Sequence, residues 1–153
     1  MKNISLPNKE LRLLSGQLQN LDTGYTIPQI RSLDKVIRII ETTLKPFADG
    51  LDKILSVGVS QASEEEKQKG ELKKQKELED YFKTEGNKKV ICSFEDVDFE
   101  FIKMVWSKMS TFRGQKEVRE AVIRIDDAIQ YANEPIFADS ENGLKPIEKQ
   151  ITN

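Results

Sequence analysis

The chain has 153 residues, of which 33% are charged, 37% hydrophobic and 7% aromatic. This composition suits one helical domain with wide solvated faces better than a β-sandwich. The 24 basic and 26 acidic residues leave a net charge of −2, so no overall field attracts nucleic acid or an anionic membrane.

The sequence contains no histidine and a single cysteine, Cys92. Without histidine there is no Ser-His-Asp or Cys-His catalytic site and no histidine-ligated zinc, and one cysteine cannot build a thiolate metal site. An intramolecular disulfide is excluded too, which favours a reducing cytoplasm. Because there is no signal peptide and no run of eighteen apolar residues, we expect a soluble protein.

The opening of the chain predicts a short strand followed by two helices. Residues 2–6 alternate between polar and apolar and stop at Pro7, which indicates a strand. A first helix is predicted from about Asn8 to Asn20, and Pro28 suits the first position of a longer helix. The apolar stripe of the first helix is Leu11, Leu14, Leu18 and Leu21. These two helices are expected to form a helical hairpin.

The stretch 28–55 carries an apolar seam with an unbroken 3-4 spacing. The seam consists of Ile30, Leu33, Ile37, Ile40, Leu44, Phe47, Leu51 and Ile54. Pro46 and Gly50 interrupt the helical pattern, and because the seam continues in phase beyond them we expect one kinked helix. The seam needs a partner helix, either from the same chain or from a second copy in a coiled coil.

Residues 56–86 are highly charged and offer few side chains to a core. Ser63 and Glu66 resemble a capping box, and the run 64–81 is rich in Lys, Glu and Gln. The segment is predicted to be either a solvated helix or a mobile arm, since Gly70 weakens its middle.

The second half of the chain predicts one more strand and two more helices. Val90, Cys92 and Phe94 alternate with Ile91, Ser93 and Glu95 as a short strand, which can pair with residues 2–6. Helices follow over about 96–112 and 115–133, the second with its apolar face on Val118, Val122, Ile125, Ile129 and Ala132. Its residues Arg119, Glu120, Arg124 and Asp127 are expected to point outward.

The predicted fold is therefore mainly α, an antiparallel helical bundle with a long helical hairpin and a minor two-stranded β element. Residues 1–135 form a single helical domain that includes the charged segment 56–86. Residues 136–153 form an extended C-terminal tail, because their apolar residues have no period.

The acidic clusters favour structural roles over catalytic ones. Glu95, Asp96, Asp98 and Glu100 stand at a helix start, where carboxylates favour the positive end of the dipole, and they lack the glycine and the spacing of a calcium loop. Asp126 is interpreted as part of a buried ion pair or as a rim residue. An enzyme would have to use carboxylates with Mg²⁺, in a pocket that contains Glu41, Asp126 or Asp127.

The helix with the only tryptophan supplies the candidate interface. Phe99 and Phe101 cannot both share the face of Ile102 and Trp106, so one of them is expected to reach a second surface. Core packing is the alternative interpretation. The full candidate interface is Phe99, Phe101, Trp106, Met109, Phe137, Leu144 and Ile147.

The order of elements resembles a class of short helical proteins encoded in bacteriophage genomes. The resemblance rests on Asn8-Lys9-Glu10-Leu11, on Ile27-Pro28 before a long helix, on the charged middle, and on the short strand that leads into a Phe-rich helix at 94–109. It is similar also to small head-tail adaptor and virion accessory proteins, whose C-terminal tails drape over neighbouring subunits.

That resemblance implies a noncatalytic structural or assembly protein that acts through protein-protein contacts, in the host cytoplasm or incorporated in the virion. Its expected partners are other virion proteins or copies of itself, without cofactor, metal, nucleic acid or membrane. The alternative function is a small soluble inhibitor or adaptor that binds a host protein such as a defence factor.

Overall fold

A computed structural model describes residues 1–20, 24–109 and 116–133, together with the backbone of 137–138 and 145–146. The fold is mainly α with small antiparallel two-stranded sheets. In chain order the elements are β1 (Lys2–Pro7), α1 (Asn8–Asn20), α2 (Ile27–Leu55), α3 (Glu64–Thr84), β2 (Lys89–Phe94), α4 (Asp96–Ser107), α5 (Lys116–Gln130), β3 (Phe137–Ala138) and β4 (Lys145–Pro146). Short 3-10 turns occupy Glu85–Asn87 and Tyr131–Asn133.

The pairing of β1 with β2 confirms the predicted β element. The strands are antiparallel, with Ile4 opposite Cys92 and Lys2 opposite Phe94. Alternation sends Ile4, Cys92 and Phe94 into the core, whereas Ile91 is exposed. The sheet therefore joins the first residues of the chain to its middle.

Helix α2 runs without a break through Pro46, in agreement with the expectation of one helix. Proline lacks an amide hydrogen, so the carbonyl four residues earlier loses its helical partner. The start of α2 has a capping box at Thr26 and Gln29: the Gln29 amide donates to Thr26 Oγ1, and the Thr26 amide donates to Gln29 Oε1. This Thr-x-x-Gln signal was missed at the sequence level, although it is a known N-terminal pattern.

The seam of α2 is buried only in its middle. Ile40, Leu44, Phe47 and Leu51 are buried, but Ile30 is 52% exposed, so its predicted burial is wrong. The reason is that a strict heptad stripe drifts by about 20° per heptad on a straight helix. Val36, which lies outside the predicted seam, is fully buried instead.

The core lies between α1, α2, α4, α5 and the inner face of the β1–β2 sheet. Its buried members are Ile4, Leu6, Leu11, Leu14, Leu18, Val36, Ile40, Leu44, Phe47, Cys92, Phe94, Phe99, Phe101, Ile102, Val105, Trp106, Ile125 and Ile129. Leu21, the last residue of the predicted α1 stripe, lies outside the described residues.

The boundaries of the last two helices differ from the prediction. Helix α4 ends at Ser107, because the amides of Lys108 and Met109 bond to carbonyls only three residues back. Helix α5 ends at Gln130 and continues as the tighter turn Tyr131–Asn133.

Helix α3 is the predicted solvated helix. Ser63 caps it by accepting a hydrogen bond from the Glu66 amide at 3.1 Å. All 21 of its residues are described, and none is fully buried. Only its C-terminal end touches the core, where the Tyr81 ring stacks on Phe47 with centroids 5.1 Å apart and Phe82 meets Phe47 edge-on.

Gly50 is the point at which α3 approaches the backbone of α2. The Tyr81 hydroxyl donates to the Phe47 carbonyl at 2.7 Å. A Cβ at Gly50 would overlap this hydroxyl and would lie 2.9 Å from Tyr81 Cζ. Gly50 is therefore required for the α2–α3 contact.

We predict opposite effects for two glycine-to-alanine substitutions. Gly50→Ala should destabilise the protein by about 1–3 kcal/mol, because Tyr81 must move. Nothing lies within 4 Å of a Cβ placed at Gly16, so Gly16→Ala should stabilise α1 by about 0.5–1 kcal/mol through helix propensity alone. Urea unfolding of both variants checks this, and equal stabilisation by the two would contradict the described approach of Tyr81.

We also predict that Cys92 makes stability depend on alkaline pH. Burial raises the pKa of this thiol, so the folded chain keeps a proton that the unfolded chain loses. The stabilisation is complete below the unfolded pKa of about 8.5 and is lost as pH rises through the higher folded value. The free energy of unfolding should therefore fall over the pH interval that begins at about 8.5.

The control for this prediction is Cys92→Ala, whose unfolding free energy should be lower throughout but flatter over the same pH interval. A wild-type slope equal to that of Cys92→Ala would contradict the prediction. The native thiol should also react with an alkylating reagent only as fast as the protein opens.

Candidate interaction surfaces

A groove between α4 and α5 contains the tryptophan. It has a volume of about 460 Å³ and is lined by Lys103, Trp106, Ser107, Met109, Val122, Ile123, Asp126, Ile129 and Gln130. The indole Nε1 of Trp106 donates to Asp126 Oδ1 at 2.9 Å. Asp126 therefore lies at the rim of the groove, one of the two placements predicted for it, and its carboxylate fixes the ring against α5. Ile123, at 59% exposure, gives the groove an apolar edge.

A second groove lies between α1 and α2. It has a volume of about 820 Å³, and its walls are more polar, with Lys9 and Arg12 from α1 and Glu41, Lys45 and Asp49 from α2. Arg12 also sits over the Phe82 ring at 5.9 Å. Glu41 and Asp126 thus lie in different grooves and do not converge.

Buried carboxylates occur at two positions that the sequence did not single out as buried. Glu10 is 1% exposed, and its Oε2 accepts a hydrogen bond from Arg124 at 2.8 Å. This bond raises the pKa of Arg124. Arg124 is exposed, as predicted, with 46% of its side chain accessible, but its guanidinium also reaches a partner on α1 that was not predicted. Since the desolvated acid requires its cation, the pair joins α5 to α1.

The second buried acid is Asp98, at 1% exposure. Lys35 Nζ lies 3.1 Å from Asp98 Oδ2 and 2.6 Å from Glu95 Oε1. Hydrogen bonds to Glu95 and then to Asp98 raise the pKa of Lys35. The acidic cluster at the start of α4 therefore holds a lysine of α2, in addition to its position at the helix N-terminus.

The predicted candidate interface divides into three groups. Phe99 and Phe101 are both buried, because Phe101 packs on Tyr25 with ring centroids 5.6 Å apart, so the second surface is supplied by the same chain. Trp106 and Met109 line the α4–α5 groove. Leu144, Ile147 and the side chain of Phe137 lie outside the described residues.

Among the described residues no group of three or more Cys, Asp or Glu side chains is placed to hold a metal ion. None of the described helices combines the length and apolar character that a bilayer crossing requires.

The chain matches no protein-family model, no curated protein and no solved structure.

We predict that the Glu10–Arg124 pair is strongly coupled. Arg124→Met should destabilise the protein by about 3 kcal/mol, the low end for breaking a buried pair, because it leaves the Glu10 carboxylate without its cation. The double variant Glu10→Met with Arg124→Met should recover most of this loss, since no buried charge remains.

The matched control is the exposed pair Lys45–Asp49, whose nitrogen and oxygen are 3.3 Å apart. Lys45→Met should change the unfolding free energy by less than about 0.5 kcal/mol. Chemical denaturation of these proteins and of the single variant Glu10→Met completes the test. Additive losses at Glu10 and Arg124 would rule out the coupling.

Proposed function

We propose that this protein is a noncatalytic, phage-type structural or assembly protein that works through protein-protein contacts. The observation that carries the proposal is a helical hairpin that projects from the core. The phage assignment itself is supported by the order of elements in the sequence.

The projecting hairpin consists of residues 48–80, the distal part of α2, the connection 56–63 and most of α3. Leu51 is buried within this described segment, but the main core cluster and the side chains packed against it take no member from it. At a rise of 1.5 Å per residue, the 21 residues of α3 extend for about 30 Å. The hairpin therefore extends away from the core and adds exposed surface that the core does not require.

The two arms of the hairpin hold each other through few contacts. Lys74 Nζ donates to the carbonyls of Leu55 and Val57 at 2.7 and 3.2 Å. A Cβ at Gly70 would lie 2.7 Å from Val59 Cγ1, so this glycine lets the connection pack on α3. These specific contacts hold the distal end of the hairpin together.

Apolar side chains are left on the outside of the hairpin. Leu55, Val57 and Leu72 are 48%, 54% and 66% exposed. Leu72 is surrounded on its helix by charged and amide side chains, with Lys69 and Lys76 three and four residues away. An apolar anchor in a polar rim is the arrangement that protein interfaces use.

The direct test is the composition of purified phage particles and assembly intermediates, measured by mass spectrometry and electron microscopy. Stoichiometric presence in either supports the proposal. Absence from both would contradict it, and a single stoichiometric host partner in a pull-down would favour the inhibitor or adaptor instead.

We predict that Leu72→Glu weakens partner binding without destabilising the fold. A glutamate at position 72 can pair with the lysine four residues later, so the unfolding midpoint should be unchanged. Loss of a leucine side chain that the partner would bury should weaken association by about tenfold or more. Incorporation into particles, or partner recovery, is the readout.

The control is Val97→Glu, whose original side chain is 68% exposed and lies on α4, away from the hairpin. A glutamate in the first turn of a helix is well tolerated. Loss of the partner in both variants, or in neither, would contradict the assignment of the interface to the hairpin.

A further inference from the structure

Strand β2 has one side that faces β1 and one side that faces away from it. The Asn8 amide donates to the Lys88 carbonyl at 2.9 Å, in register with the β1–β2 pairing. Hydrogen-bonded pairs alternate with non-hydrogen-bonded pairs in an antiparallel ladder, so every second residue of β2 bonds to β1. The residues between them are Lys89, Ile91 and Ser93, and their backbone amides and carbonyls point to the opposite edge of the strand.

This outer edge of β2 is unpaired in the described part of the chain. None of the hydrogen bonds among the described residues reaches the backbone groups of Lys89, Ile91 or Ser93, and β2 has β1 as its strand neighbour there. Ser93 Oγ donates to Asn3 Oδ1 at 2.7 Å, which agrees with the close side chains of a non-hydrogen-bonded pair. An incoming strand could therefore bond to this edge.

The two edges of the sheet are protected to different degrees. Pro7 occupies an outward position of β1 and has no amide to offer, and β1 also packs against α5 and the turn Tyr131–Asn133. Strand β2 contains no proline, and its central outward residue, Ile91, is 63% exposed. Edge strands without such protection are the usual templates for pairing with another chain.

The charges at the ends of β2 favour an antiparallel copy of the same strand. Lys89 begins the strand and Glu95 follows it directly, and both are exposed. Antiparallel pairing centred on Ile91 places Lys89 opposite Ser93 of a second copy, with Glu95 of that copy as its diagonal neighbour within reach of a long side chain. Glu95 already pairs with Lys35 of its own chain, but its side chain is still 59% exposed. Parallel pairing would bring like charges together instead.

We propose that two copies of this chain pair through their β2 edges around a twofold axis at Ile91, so that their sheets form one continuous antiparallel sheet. The two Ile91 side chains then lie opposite each other on the outer face. The contact is isologous and closes as a dimer, and because it is small we expect reversible association in the micromolar range. The inference concerns the purified chain and does not rest on the proposed function or on the hairpin.

Sedimentation velocity of the full-length chain over a concentration series tests the proposal. Ile91→Lys and Ile91→Glu each place like charges opposite each other across the axis, so each variant alone should raise the dimer dissociation constant by about tenfold or more. An equimolar mixture of the two should return to within a few-fold of the wild-type value, because a lysine then stands opposite a glutamate. Since Ile91 is exposed, both variants should keep the wild-type circular dichroism.

A pair of proline variants tests the backbone contact. Ile91→Pro removes an outward amide from β2 without removing a bond to β1, so it should abolish the dimer. The matched control is Ser5→Pro, because Ser5 lies directly opposite Ile91 and its amide points to the other edge of the sheet. This control should leave the dissociation constant unchanged. If either proline variant misfolds, the mixture of Ile91→Lys with Ile91→Glu decides alone.

Three outcomes would overturn the proposal. The first is a wild-type chain that stays monomeric at every concentration up to the millimolar range. The second is a mixture of Ile91→Lys with Ile91→Glu that associates no better than either variant alone. The third is a dimer that persists in the Ile91 variants but is lost in Leu72→Glu, which would assign self-association to the hairpin. A dimer that is lost in the Ile91 variants, restored in the mixture and kept in Leu72→Glu supports the proposal.

Discussion

The antiparallel pairing of β1 with β2 is the constraint on which the rest of the structure depends. It joins residues 2–7 to residues 89–94, so the whole of α1, α2 and α3 is enclosed in one long loop. The entropic cost of closing a loop rises only slowly with its length. Burial of the inward-facing residues of both strands in the core compensates for this cost. Asn8, at the junction of β1 and α1, strengthens the closure: its amide donates to the Lys88 carbonyl and its side chain donates to the Glu85 carbonyl.

Two buried carboxylates determine how the helices are arranged around the β1–β2 pairing. Glu10 on α1 holds Arg124 on α5, and Asp98 on α4 holds Lys35 on α2. In each case the acid is buried and the cation is about half exposed. Apolar packing is non-directional and does not by itself select one register between two helices. A buried acid that must pair with one particular cation does select a register, and this specificity is the best-attested role of buried ion pairs.

The elements of the fold could be predicted from the sequence because their signals are local. Alternation of apolar residues gave β1 and β2, leucine spacing gave α1, and Pro28 placed the start of α2 within one residue. What the sequence could not give was the identity of partners distant in the chain. Arg124 is exposed as predicted, but nothing in its own helix shows that Glu10, more than a hundred residues earlier, is buried beside it. Phe101 similarly looked surplus to its helix, since the Tyr25 ring that receives it belongs to another segment.

The connection between α2 and α3 has a topological consequence. It lies at the far end of the projecting hairpin, outside the core, while the strands that close the fold stand on either side of it in the chain. A single cut there would give two pieces, each with one strand of the same sheet and neither with a complete core. The two pieces would remain associated, so this protein offers a natural division point for fragment complementation, in which reassembly itself reports that the fold has formed.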